Sequence, residues 1–265
     1  MSNTFTDHFG RQAGDYARFR PHYPPALFAH LAALPAQRRL AWDCACGSGQ
    51  ATVPLAAKFA SVIGSDASAG QLAQAPRVPN IEWRLAPAEA SGLAAASVDL
   101  VTVAQALHWL PLAAFQAEVD RVLLPGGVFA VVSYGKLLVD TPAVDELVQH
   151  YYAHTVGAYW PPARRHLEAA YRELPFPYPI LPAPTLEMAV EWTATDLLGY
   201  LRSWSATAAF SIARGYDPVI ALAPVLAREW PAASATIRIR WPLRLTAGRK
   251  PPDAQARMKT SNLEQ

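Results

Sequence analysis

Cysteine is nearly missing. Cys44 and Cys46 are the two in the chain, too few for a disulfide framework or a four-ligand zinc site, so a reduced, cytoplasmic setting is the expectation. Charge is also sparse: 17% of residues, with 23 Lys+Arg against 21 Asp+Glu and a net +2. No basic stripe that would follow a phosphate backbone emerges, and nucleic acid is not an expected partner. The longest stretch without a charged side chain, Leu100 to Ala117, is interrupted by Gln105, His108, Pro111 and Gln116. It reads as a buried strand, a loop and a helix rather than a membrane span. The opening residues lack a basic start followed by an apolar run, so no targeting segment is expected. The seven histidines are scattered without carboxylates at ligand spacing, and no metal is expected. What is abundant is apolar surface, 52% of 265 residues. That excludes disorder over the whole chain and is enough for one large domain or two small ones.

Between Leu40 and Ser133 short apolar runs alternate with amphipathic ones. Leu40–Ala45, Ser61–Asp66, Ile81–Ala86, Val98–Ala104 and Val128–Ser133 read as strands, the third with one wet face. Ala51–Phe59, Ala69–Gln74 and Leu112–Val122 read as the intervening helices. Strands that are apolar on both faces and separated by helices predict an α/β fold with an open, doubly wound, mostly parallel sheet, its ligands at the carboxyl ends of the strands. The flanks differ. Residues 1–36 are rich in aromatics, Arg and Pro, and Pro24–Leu34 suits a short helix. Residues 174–184 carry proline too often for regular structure. Asp196–Ser205 and Asp217–Trp230 read as helices, and Ile237 to Leu245 alternates as a strand despite Pro242. Residues 248–265 lack a periodic apolar face and read as a tail.

The sharpest local signal is Asp43-Cys44-Ala45-Cys46-Gly47-Ser48-Gly49-Gln50, where a strand gives way to a helix. Gly47 and Gly49 permit a tight turn and close approach of a ligand, and the following helix start offers N–H groups to an anion. A tight turn with no ligand is the plainer alternative for this loop by itself. Asp66, at the end of the second strand, is placed to accept hydrogen bonds from two ribose hydroxyls; capping the next helix is its competing role, one that Ser68 could also fill. Thr52 stands where a dinucleotide fingerprint has its third glycine, and no lysine follows to make a P-loop. An amino-acid tail at the loop and a ribose at Asp66 describe S-adenosylmethionine better than NAD.

In order and spacing, the pieces Phe9-Gly-Arg-Gln-Ala-Gly-Asp-Tyr-Ala-Arg-Phe-Arg-Pro-His-Tyr-Pro, Asp43–Gln50, Gly64-Ser-Asp-Ala-Ser, Ala88-Glu89, Ala104-Gln-Ala-Leu-His-Trp and Arg121-Val-Leu-Leu-Pro-Gly-Gly resemble a class I S-adenosylmethionine-dependent methyltransferase. The likeness is to the small-molecule, type 11 group that includes trans-aconitate methyltransferase-like proteins, and it covers roughly residues 5–135. It implies a seven-stranded Rossmann-like sheet with a helical lid over 1–36 and a cofactor-binding core over 37–135. An acceptor-binding insertion with the sixth strand would follow over 136–233, and a final antiparallel strand over 234–247. It also implies that Asp43, Ala45, Cys46, Gly47, Ser48 and Gly49 surround the methionine moiety. Asp66 and Ala67 would lie at the ribose, Ala88 and Glu89 beside the adenine, and Gln105 beneath the cofactor, with Tyr16 and Arg20 reaching in from the lid. Ala45 replaces a glycine common at that point in the family.

Methyl transfer is an in-line displacement at a sulfonium-activated carbon, so the protein must align the partners and exclude water. A base is needed only where the acceptor must lose a proton; a carboxylate acceptor needs none. His108 is the candidate for moving or orienting that proton, with Trp109 as a wall of the chamber; a packed histidine and tryptophan are the alternative. Trp160, Arg202 and Trp204 are candidate acceptor contacts, with Arg20 and Arg202 expected to recognise an anion. The expected partner is a small-molecule acceptor, a carboxylate being one class. Rival readings are lipid or quinone methylation and a non-catalytic cofactor-binding module. A nucleobase methyltransferase is disfavoured because Gln105-Ala-Leu-His stands where an Asp/Asn-Pro-Pro-aromatic motif would lie.

Overall fold

The computed structural model describes residues 21–252. Tyr16 and Arg20 therefore lie outside the described residues, as do most of the expected lid and all but the start of the expected tail. The chain divides into two compact units. Among the described residues, one holds 23–134, 169–186 and 243–252; the other holds 21–22, 135–168 and 187–242.

The larger unit carries the parallel α/β sheet and takes in residues 23–36 and 169–186 as well. It begins with α1 (Pro25–Ala33), followed by β1 (Leu40–Cys44), α2 (Thr52–Ala56), β2 (Ser61–Asp66), α3 (Ala69–Leu72) and β3 (Ile81–Leu85). Then come β4 (Val98–Ala104), α4 (Leu112–Val122) and β5 (Leu123–Tyr134). Strands β1 to β5 pair in parallel in the order β3-β2-β1-β4-β5. The order reverses between β1 and β4, and that reversal opens a crevice at their carboxyl ends. β4 is buried along almost its whole length, which explains its lack of alternation. Buried Asp99 near its start accepts the backbone N–H groups of Arg39 and Leu40 at 2.9 and 3.0 Å, fixing where β1 begins. α4 buries Phe115, Glu118, Val119 and Val122, one stripe at helical spacing. Phe115 lies edge-on to both Trp42 and Phe129.

Two helices are shorter than their apolar spacing predicts, and the fifth strand begins earlier than Val128, at Leu123, so that it includes Pro125-Gly126-Gly127. Pairing passes from Val98 with Leu123 to Leu100 with Val128, so the extra residues form an irregularity inside a longer β5.

The other unit contains β6 (Leu138–Val139), α5 (Pro142–His150), α6 (Arg164–Glu168), β7 (Glu187–Trp192), α7 (Ala194–Arg202), α8 (Ser205–Arg214) and α9 (Val219–Glu229). Thr193 and Asp196 form a capping box at the start of α7. The last strand, β8 (Ile237–Arg249), belongs to both units. Its first half pairs antiparallel with β6 and β7, and its second half with β5. Pro242 lies at the changeover between those partners, where a missing N–H is tolerated. The strand also runs past the expected boundary at 247, because Gly248 and Arg249 still pair with Phe129 and Val128. The sheet thus counts eight strands rather than seven.

Candidate functional site

The first crossover turn is tied down from three sides. Asp43, 1% exposed, accepts Thr52 Oγ1 at 2.6 Å and Thr102 Oγ1 at 2.9 Å, joining β1 to α2 and β4. Burial raises its carboxyl from 3.8 to about 6; the two threonine hydrogen bonds oppose that rise, and the charge of Asp66 adds to it. Asp43 therefore acts on the loop from beneath. Neither threonine was singled out as a site residue: Thr52 served only to exclude a dinucleotide fingerprint, although a hydroxyl nine residues from an acid was the available signal.

The loop itself uses the left-handed region at Ala45 (φ 53°), Gly47 (φ 58°) and Gly49 (φ 93°). The two glycines serve different ends. A Cβ on Gly47 would meet nothing closer than Gln71 Oε1 at 3.6 Å, whereas one on Gly49 would lie 2.4 Å from the Trp83 ring. A Cβ at Gly47 would thus make only ordinary contact, and what requires glycine there is the left-handed turn. Gly49 makes room for an indole from β3. Burial pushes the thiols of Cys44 and Cys46 up, so neither is a nucleophile at neutral pH.

Asp66 joins the loop to the second strand: Gly47 N–H donates to its Oδ2 and Ser68 N–H to its Oδ1, both at 2.8 Å. Ser68, not Asp66, caps α3, its Oγ accepting Gln71 N–H. An ionised carboxylate offers acceptors only, the chemistry that a ribose hydroxyl needs. Ala67 and Glu89 are exposed and Ala88 is buried. Sequence reasoning missed Leu85, which pairs in register with Asp66 and leaves 62% of its surface exposed at the carboxyl end of β3. An apolar side chain exposed beside the acid suits the face of a nucleobase.

After β4, Gln105 takes a left-handed conformation (φ 57°), donates its Nε2 to Tyr134 O at 3.0 Å and buries Oε1 without a hydrogen-bond partner. Gln105 is thus a strained residue with an orphaned, buried acceptor at the end of β4. His108 and Trp109 follow in a 3-10 turn, Leu107–Trp109. His108 Nδ1 lies 2.7 Å from Tyr171 Oη, and the two rings stack. Trp109 is 40% exposed, so it is not a core residue.

The remaining candidates lie in the other unit. Trp160 and Trp204 pack against each other and against Tyr152. Arg202 is engaged by Asp217, Nε to Oδ2 at 2.7 Å. Two further cations lie beside the aromatic group: Arg164, 3.9 Å from the Trp160 ring centroid and itself engaged by Tyr152 Oη at 2.7 Å and by Glu168 at 3.8 Å, and Lys136, 4.3 Å from the Tyr152 ring centroid.

The donor set of the core fits S-adenosylmethionine. The loop from Asp43 to Gln50 carries no cation that would seek phosphate, and an acid stands one strand away. Among the described residues no cluster of His, Cys, Asp and Glu could hold a metal ion, and no helix is long and apolar enough to cross a membrane.

Comparison with known proteins agrees with this geometry. Residues 42–131 match the family model described as a methyltransferase domain. A Dictyostelium discoideum protein described as a methyltransferase is 34% identical over 93% of this chain and 96% of its own length. A solved structure from Anaeromyxobacter dehalogenans, described as a type II methyltransferase, is 45% identical with a TM-score of 0.83, covering 88% of this chain and 99% of the other. The trans-aconitate 2-methyltransferase of Methylobacterium radiotolerans is 37% identical over 44% of this chain and 46% of its own. With that likeness running almost end to end, and with the loop, acid and post-β4 residues where the fold demands them, the chain belongs to the class I S-adenosylmethionine-dependent methyltransferases.

Proposed function

We propose that this enzyme methylates a small-molecule acceptor, and that the acceptor carries an anionic group by which it is recognised. The observation that carries the cofactor half of this reading is the bond from Gly47 N–H to Asp66 Oδ2. It brings together the loop and the acid that would hold the two ends of one adenosyl amino acid. When bound, that cofactor supplies a methyl group activated by a sulfonium. The residues we assign to holding it are Asp43 through its support of the loop, Ala45 to Gly49, Asp66, Ala67, Ala88, Glu89 and Gln105, with Leu85 added; Tyr16 and Arg20 complete the proposal.

The acceptor half is supported by the aromatic and cationic group around Trp160, Trp204, Arg164 and Lys136. Guanidinium and ammonium groups beside flat rings suit a small acid with an apolar body. The relative that is a trans-aconitate methyltransferase favours an acid as well. Labelled S-adenosylmethionine incubated with carboxylic acids, phenols and amines, with and without an added carboxylate handle, tests the reading. Transfer to acids or acid-bearing compounds is expected, with Arg164→Gln raising the acceptor KM far more than the cofactor KM. Transfer confined to uncharged or membrane-embedded acceptors would replace it with lipid or quinone methylation.

A further inference from the structure

Of the five described non-glycine residues of the core unit in the left-handed region, three are Gln105 (φ 57°), three residues before His108, and the consecutive pair Ala170 (φ 51°) and Tyr171 (φ 56°). Each costs an L-residue about 1 kcal/mol, and glycine at 170 would remove the cost there. What the strained pair delivers is a single phenol. Tyr171 is 7% exposed, its ring stacks on His108 with centroids 5.9 Å apart, and its Oη meets Nδ1 at 2.7 Å. A packing role needs the ring and not the hydroxyl, and it needs no strained backbone.

We propose that Tyr171 is a positioning residue. It holds His108 in the Nδ1–H tautomer, so that Nε2 is the atom that removes a proton from the acceptor. The inference rests on the methyl-transfer reading above and narrows it: the group methylated is a hydroxyl, phenol or amine, and any carboxylate on the acceptor is a handle.

The tautomer follows from what the ring must do. Imidazole that gains a proton becomes a donor at both nitrogens. A tyrosine oxygen accepting from Nδ1–H keeps its hydrogen bond through that change and is strengthened by the charge. The opposite arrangement, with the phenol donating to Nδ1, would place the proton of the neutral ring on Nε2, where it could take nothing from an acceptor. In the transfer, the acceptor atom gives its proton to Nε2 as its electron pair forms the bond to the methyl carbon. The pair of the broken C–S bond stays with the sulfur, which leaves as a neutral thioether. His108 returns the proton to water afterwards. A carboxylate has no proton to give, and the dyad would have no task there.

The deciding measurement is nitrogen NMR of the full-length protein with labelled histidine, loaded with S-adenosylhomocysteine, the His108 signals identified by their loss in His108→Gln. The expected result is a neutral ring protonated at Nδ1, and a shift toward the Nε2–H form in Tyr171→Phe, which keeps the ring. An Nε2–H tautomer in the loaded wild-type protein overturns the proposal and leaves the cofactor reading standing. Failure of S-adenosylhomocysteine to bind a folded wild-type sample overturns both. In the acceptor panel, Tyr171→Phe should lower kcat by about tenfold or more, with cofactor and acceptor KM changing less than about twofold. Transfer to carboxylates alone, unaffected by Tyr171→Phe, would also overturn it. The tautomer decides the matter even where no panel compound turns over.

Discussion

Gly49 and Trp83 share one volume: a Cβ on the glycine would fall 2.4 Å from Cη2 of the indole. Gly64 meets the same ring, its Cβ position lying 2.7 Å from Trp83 Cζ3. Gly64→Ala should therefore cost about 1–3 kcal/mol in urea denaturation, the usual penalty of overpacking. Adding Trp83→Leu should recover most of it. Gly49→Ala should be rescued less well by the same partner, because its φ of 93° strains alanine even where space exists. Equal rescue at both positions would refute this account.

Asp43 sets a pH dependence of unusual sign. Its folded-state value of about 6 lies above the ordinary 3.8, chiefly through burial. Between those values the native protein keeps a proton that the unfolded chain has released, so this group's contribution to stability falls as pH rises from about 4 to 6, by about 3 kcal/mol. Asp43→Asn removes the titration. The stability difference between variant and wild type should move in the variant's favour across that window and then level. A difference independent of pH would show that the two threonine bonds offset the burial.

Glu118 runs the other way. Hydrogen bonding from Arg121, with Ser91 contributing, lowers it from 4.5 to about 2 against the effect of burial. The stabilisation it gives is complete above pH 4.5 and is lost as pH falls toward 2. Glu118→Gln should cost about 2 kcal/mol at pH 6 and progressively less on acidification. Denaturation at a series of pH values checks both the sign and the window.

Asp66→Asn should weaken S-adenosylmethionine binding about tenfold or more by calorimetry, because a neutral amide accepts fewer hydrogen bonds than a carboxylate. Since Gly47 and Ser68 N–H also bond this side chain, a modest loss of stability should accompany it. Unchanged affinity in the folded variant would remove Asp66 from the cofactor site.

Gln105→Gly separates stability from function. It relieves the left-handed strain and the orphaned Oε1 but deprives Tyr134 O of its donor. These effects roughly cancel, to within about 1 kcal/mol. Turnover should nevertheless fall on the proposed reading, in which Gln105 is one of the residues assigned to the cofactor. A variant with wild-type turnover would make Gln105 a packing residue.

Much of the core was legible in the chain because its signals are local. Five apolar runs and a Gly-x-Gly between the first run and the following helix fix strand type, and the acid at Asp66 follows from where a second parallel strand must end. The resemblance extended that reading to the cofactor. Less legible were contacts between residues far apart in sequence that carry no periodicity. Nothing near Gly49 announces Trp83, and nothing near His108 announces Tyr171, 63 residues further along the chain.

Pro242 shows the division most plainly. Alternation across Ile237–Leu245 determined a strand by itself, since period-two burial needs only one apolar face. Only the tertiary structure decided that the strand changes partners at the proline, so that a residue unable to donate sits where one ladder ends and another begins. The same holds for the site. Sequence determined which groups are present, because residue chemistry is fixed along the chain. Folding decided which of them meet, because hydrogen bonds and ring contacts depend on distances that sequence separation does not set.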